Sequence, residues 1–178
     1  MNIHAELRVP QTRTQRLILL GHFFENEHEF GELMNIFLSE NYRLQQHSAW
    51  VVCNIARRKP SLLHPYNQQL INKLNESHVS STFKRNVVRA WQEIDLPEEH
   101  LGEIYDLCFS YITGKEAIAV KVFSMTICYN ITNKFPELKP ELLVAIEDIL
   151  IKDGQKSNGI LSRGGKTVQL LKKDLTDI

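Results

Sequence analysis

Four groups of side chains have types and spacings that could do chemistry. Gly164-Gly165-Lys166-Thr167 resembles the end of a phosphate-cradling loop, whose form is Gly, four residues, then Gly-Lys-Ser/Thr. Counting back from Gly165 puts Ile160 where the first glycine belongs, and Gly159 falls one position too early. No strand pattern precedes the motif and little chain follows it, so two glycines loosening a terminal helix is the simpler account. Trp91 and Asp95 lie four apart and could share a helix face, with Arg85 and Arg89 nearby to meet phosphates. Against this, Trp91 continues the apolar stripe of Val87 and Val88, and Asp95 stands just before Pro97 as a natural cap. His4, His22, His28, His47, His64, His78 and His100 never fall at the i, i+4 spacing of a helical metal pair. Cys53, Cys108 and Cys128 are odd in number, far apart and set among apolar residues, which argues against a disulfide framework and a zinc site. The expectation is no catalytic residue, no metal and no cofactor.

The composition bounds the rest. The chain has 178 residues, 43% hydrophobic and 24% charged, with no net charge. That is an ordinary soluble composition for one domain, with no general pull toward nucleic acid or acidic membranes. No stretch approaches the roughly 18 apolar residues of a membrane span, and Met1 to Arg16 lacks the apolar run of a secretion signal. Free thiols suit a reducing compartment. The expected location is cytoplasmic.

The elements that would position these groups all read as helices. Residues 1–11 carry little pattern and are expected to be a poorly ordered lead-in; residues 12–178 form the domain. Thr12 or Thr14 can cap a first helix with Leu17, Leu19, Leu20, Phe23 and Phe24 on its stripe, followed by a helix bearing Phe30, Leu33, Phe37 and Leu38. Ala49, Val52, Cys53 and Ala56 mark the next helix, which ends in the cations Arg57-Arg58-Lys59 before Pro60. Its partner continues through Leu63, Tyr66, Leu70 and Leu74. Ser80 or Ser81 caps the helix of Val87, Val88 and Trp91, and after the turn at Pro97 a helix buries Leu101, Ile104, Cys108 and Ile112. Eleven of the fifteen residues at 117–131 are hydrophobic, so that helix must be covered on several sides. Beyond Pro136 come Leu142, Ile146 and Leu150, then a last helix over 156–175.

These helices repeat. Asn54, Ile55, Pro60, Leu62 and Leu74 recur 76 positions later as Asn130, Ile131, Pro136, Leu138 and Leu150, and Pro97 stands almost halfway between the two prolines. A fixed period of this kind marks a repeat array. The helix–Pro-turn–helix unit resembles a HEAT or armadillo-type repeat over roughly residues 12–175. The resemblance implies an all-α, right-handed α-solenoid of about four stacked antiparallel helix pairs plus a terminal helix. It also implies a concave surface, lined by the second helices, that holds a partner.

Charge is banded along the chain: eight basic and two acidic residues in 41–94, four and ten in 95–148. On the second helices, the residues opposite the core stripes are Gln68 and Asn72, then Glu103, Asp106 and Ser110, then Glu141 and Asp148. The family's usual curvature would put these on one inner surface. They make the expected ligand a basic or hydrogen-bonding protein segment, and the function a non-enzymatic interaction module of unknown oligomeric state. The alternative is a DNA-binding protein similar to the HEAT-like alkylpurine DNA glycosylases, which use a tryptophan and an aspartate at the spacing of Trp91 and Asp95, here beside Arg85 and Arg89. No second aromatic clamp accompanies that pair.

Overall fold

The computed structural model describes residues 1–176. Among them every regular element is helical and none is a strand, giving an all-α helical repeat. The chain divides into two compact units, the first being Met1–Pro97 and the second beginning at Glu98.

The first unit contains α1 (Ile3–Arg8), α2 (Arg13–Glu25), α3 (Phe30–Leu38), α4 (Tyr42–Arg58), α5 (Pro60–Leu63), α6 (Asn67–Leu74) and α7 (Ser81–Trp91). Short polar side chains start the helices where the sequence offers them. Asn41 Oδ1 accepts from the Leu44 amide at 3.1 Å, Thr12 Oγ1 from Gln15 and Ser80 Oγ from Phe83 at the same distance; each satisfies an amide the helix itself leaves unpaired. Helix α4 packs against α1, α2, α3 and α7. Its stripe of Ala49, Val52, Cys53 and Ala56, widened by Val51 and Ile55, is buried.

Three local expectations are corrected here. Residues 3–8 are not an unstructured lead-in: Ile3 and Leu7 are fully buried, and the Leu7 carbonyl lies 2.7 Å from His47 Nδ1. Two apolar residues four apart on one turn are enough to seat α1 on α4. Leu17 is half exposed, whereas Leu19, Leu20 and Phe23 face the core. The helix expected after Pro60 is broken into α5, a 3-10 turn over His64–Tyr66, and α6. Pro65 causes the break, since it has no amide to donate and its ring crowds the preceding turn.

The second unit contains α8 (Leu101–Thr113), α9 (Ile118–Thr132), α10 (Lys139–Asp153) and α11 (Asn158–Thr176). Pro136 opens the 3-10 turn that leads into α10, and Pro140 sits in that helix's first turn, where the missing amide costs nothing. Helix α9 packs against α8, α10 and α11, which accounts for its apolar character most of the way round. Ile127 and Ile131 are 1% and 3% exposed. Helix α11 is continuous through Gly164 and Gly165. A Cβ at Gly164 would lie 3.1 Å from Leu150 Cδ2 and 3.4 Å from Ile146 Cγ2, so this glycine permits close packing of α11 on α10. The far end of α11 is held by Asp174, which accepts from Lys139 Nζ at 2.7 Å and from the Tyr129 hydroxyl at 3.2 Å.

Candidate functional site

Neither the cysteines nor the Gly-Gly-Lys-Thr motif is placed for chemistry. All three thiols are buried and unpaired. Burial pushes Cys53 up to about 11, its Sγ donating to the Asn86 carbonyl at 3.4 Å, and burial raises Cys128 as well. A thiol held neutral is a poor nucleophile. Residues 164–167 lie within α11, with Thr167 Oγ1 donating to the Arg163 carbonyl one turn back at 2.9 Å. Among the described residues no group of three His, Cys, Asp or Glu side chains is close enough to hold a metal. None of their helices is long and apolar enough to cross a membrane.

In the first unit, Trp91 is 1% exposed and its indole Nε1–H donates to Asn67 Oδ1 at 3.0 Å. A ring enclosed in this way offers no face on which a base could stack. Asp95 is exposed, and its carbonyl lies 3.0 Å from His64 Nε2. Arg85 and Arg89 are exposed on α7, and their positive charge is felt at Cys53. A small cleft of about 200 Å³ opens there, lined by Trp50, Cys53, Asn54, Arg57, Arg89 and Glu93. Gln68 and Asn72 are exposed on α6 and bonded to each other, Gln68 Nε2 donating to Asn72 Oδ1 at 3.1 Å.

In the second unit, Glu103, Asp106 and Ser110 form an exposed stripe on α8, and Glu141 and Asp148 are exposed on α10. Helices α8 and α10 pack against each other. Tyr105 marks their meeting. Its ring stacks on Phe109 at 5.8 Å, and its hydroxyl is buried with no hydrogen-bond partner among the described residues. Burial raises its pKa well above the ordinary tyrosine value, and the neighbouring Cys128, Glu141 and Asp106 raise it further. One carboxylate from each helix thus acts on the same hydroxyl, so the two acidic stripes share a neighbourhood. No ion pair occupies Glu103, Asp106 or Glu141 among the described residues, whereas Asp148 is paired with Lys152 one turn on.

Two residues escaped the sequence reading. Val144 and Ile151 are 67% and 83% exposed, and with Glu141 and Asp148 they form one stripe of α10 at i, i+3, i+7 and i+10. The signal was available, because neither position belongs to the core stripe of Leu142 and Ile146 and both are apolar.

No curated protein and no solved structure matches the chain. A family model, the HEAT repeat domain, matches residues 4–162. With helix pairs, proline turns and a match over most of its length, the chain belongs to the HEAT repeat family.

Proposed function

We propose that this chain is a non-enzymatic protein-interaction module whose second unit docks a basic, amphipathic protein segment on the exposed stripes of α8 and α10. The observation that carries this reading is the stripe Glu141–Val144–Asp148–Ile151, in which carboxylates alternate with large exposed apolar side chains. Val144 and Ile151 lie seven residues apart, about 10 Å along the helix, which matches apolar side chains two turns apart on a partner helix. Covering each of them is worth roughly 1.5–3 kcal/mol before the cost of association. Glu103, Asp106 and Glu141 supply charge that no ion pair among the described residues offsets, which favours lysine or arginine on the partner and governs encounter. In the first unit, Gln68 and Asn72 present hydrogen-bonding groups to the same class of ligand.

The test uses a fluorescent peptide helix with leucines seven apart flanked by lysines, and a second peptide with glutamates in place of the lysines. The lysine peptide should bind, more weakly as salt rises. Asp106→Asn with Asp148→Asn should weaken it about tenfold, mainly through Asp106 because Asp148 is shared with Lys152. Val144→Ser with Ile151→Ser should weaken it further. Changing Arg85 and Arg89 to Gln should matter little. The reading fails if these acidic and apolar variants bind as the parent does, or if binding is lost only in the arginine variant with duplex DNA competing; the latter would make this a DNA-binding protein.

A further inference from the structure

A cavity of about 500 Å³ opens in the second unit where α8 ends and α9 begins, closed on the other side by the end of α10 and the start of α11. Four lysines line it, and they are not equivalent. Lys152 is paired with Asp148 and Lys156 lies 3.8 Å from Asp153, so these two are largely offset. Glu116, the third carboxylate of the lining, is itself engaged. The ammonium groups of Lys115 and Lys121 have no hydrogen bond or ion pair to any described residue.

Lys121 is the anomaly. Among the described residues two lysines are buried to nine-tenths, each 8% exposed. Lys139 meets the Asp174 carboxylate at 2.7 Å, as a buried cation should. Lys121 meets no carboxylate among the described residues; its stem is enclosed, while its ammonium is not among the fully buried polar atoms and belongs to the cavity lining. Beside it begins α9, whose N-cap is Ala117 and which no side chain caps. The first amides of a helix have no internal acceptors, and they carry the positive end of the helix dipole. The neighbouring α11 differs, because Ser157 Oγ accepts from its Ile160 amide at 3.3 Å. The Val120 and Lys121 amides already donate to the Ala117 carbonyl at 2.9 and 3.1 Å, which leaves those of Ile118 and Ala119. One wall of the cavity thus carries two ammonium groups with no partner among the described residues, beside Ile118 at the open start of α9.

We propose that this cavity binds a phosphate monoester, with Lys121 as its central cation, the Ile118 and Ala119 amides as donors and Lys115 closing over it. Two cations and a helix N-terminus suit a dianion better than a single carboxylate. The volume exceeds that of a bare phosphate, and Ile118, Ile149 and Ile160 form an apolar floor for the group that carries it. The inference does not depend on the α8–α10 docking face: the groups that bind are different, and the two share only Asp148, paired with Lys152 at the cavity rim.

The experiment is an amide NMR titration of the full chain with inorganic phosphate, at ionic strength held constant with chloride. Residues 118–121 should shift saturably, and Lys121→Met should weaken binding at least tenfold while Lys121→Arg retains it. Lys166→Met, on the exposed face of α11, should leave the titration unchanged. Should Lys121→Met fail to fold, Lys115→Ala must show the same weakening to a smaller degree. Glycerol 3-phosphate and a phosphoserine peptide with its unphosphorylated counterpart then distinguish a small metabolite from a modified protein as the source of the ester. The proposal is overturned if phosphate shifts nothing beyond what chloride shifts. Titration of Lys121→Met, or of Lys115→Ala where that variant replaces it, with the affinity of the parent overturns it equally.

Discussion

Alanine at the adjacent glycines of α11 should have unequal effects, and the difference measures how closely α11 lies on α10. Both positions are inside a 19-residue helix, so each substitution recovers roughly 1 kcal/mol of helix propensity. At Gly165 no atom lies within 4 Å of the added methyl, so nearly all of that gain should appear as stability. At Gly164 the methyl would stand 3.1 and 3.3 Å from Leu150 Cδ2 and Cγ. Overpacking costs roughly 1–3 kcal/mol, and the lower part of that range applies because Leu150 is only half-buried and can turn aside. The net effect of Gly164→Ala is therefore about zero to 1 kcal/mol of destabilisation, against about 1 kcal/mol of stabilisation for Gly165→Ala. Urea unfolding followed by circular dichroism gives the global shift. Hydrogen exchange of α10 and α11 amides localises it, since two compact units need not melt together. In a Leu150→Ala background the penalty at Gly164 should largely vanish, a direct double-mutant cycle. Equal stabilisation by the two alanines would refute the close approach of the helices.

Three further outcomes follow from the same packing. Ile127→Ala or Ile131→Ala, each removing a buried side chain of α9, should cost roughly 2–5 kcal/mol in chemical denaturation, and a shift below about 0.5 kcal/mol would place that helix at the surface. Asn67→Ala should cost about 1–3 kcal/mol because it leaves the buried Trp91 indole N–H without an acceptor, and the tryptophan emission should change with it. Burial holds Cys53 near 11 against an ordinary 9.0; its contribution to stability is complete below about pH 9 and is lost as pH rises toward 11, because only the unfolded chain then releases the proton. Thermal midpoints should fall across that window, and Cys53→Ala should flatten the fall.

Most of the fold was legible because helix periodicity is repeated many times, and several helix starts are written in a short polar side chain or a proline. The stripe of α4 and the enclosed helix at 117–131 follow from spacing, and residue type narrowed the caps to Thr12 or Thr14 and Ser80 or Ser81, of which the structure uses Thr12 and Ser80. What escaped was decided by contacts that single-chain periodicity does not encode. Ile3 and Leu7 make too short a pattern to register, yet α4 gives them a place to bury. Gly164-Gly165 reads as weakness in isolation and becomes a packing device only when Leu150 faces it. Pro65 was visible, but the apolar spacing of Leu63, Tyr66 and Leu70 carried the helix through it on paper, where sterics do not allow it.

The surface was less legible for a reason that also points to function. In a helical repeat the buried stripe is dictated by neighbouring helices, so its residues report on packing and little else. Information about ligands has to reside where the pattern is broken: apolar side chains facing solvent, or charge facing inward. This chain breaks the pattern in both senses within one unit. Val144 and Ile151 stand exposed among carboxylates on α10, and Lys121, largely enclosed at the start of α9, has no ion-pair partner among the described residues. The first is unfavourable in the free chain through unburied apolar area, and the second encloses a long stem while leaving its cation without a fixed counter-charge. Such local violations concentrate at functional sites. The two kinds of violation call for ligands of opposite charge, so a basic segment and a phosphate ester can bind without competing for the same residues, apart from the rim pair Asp148 and Lys152.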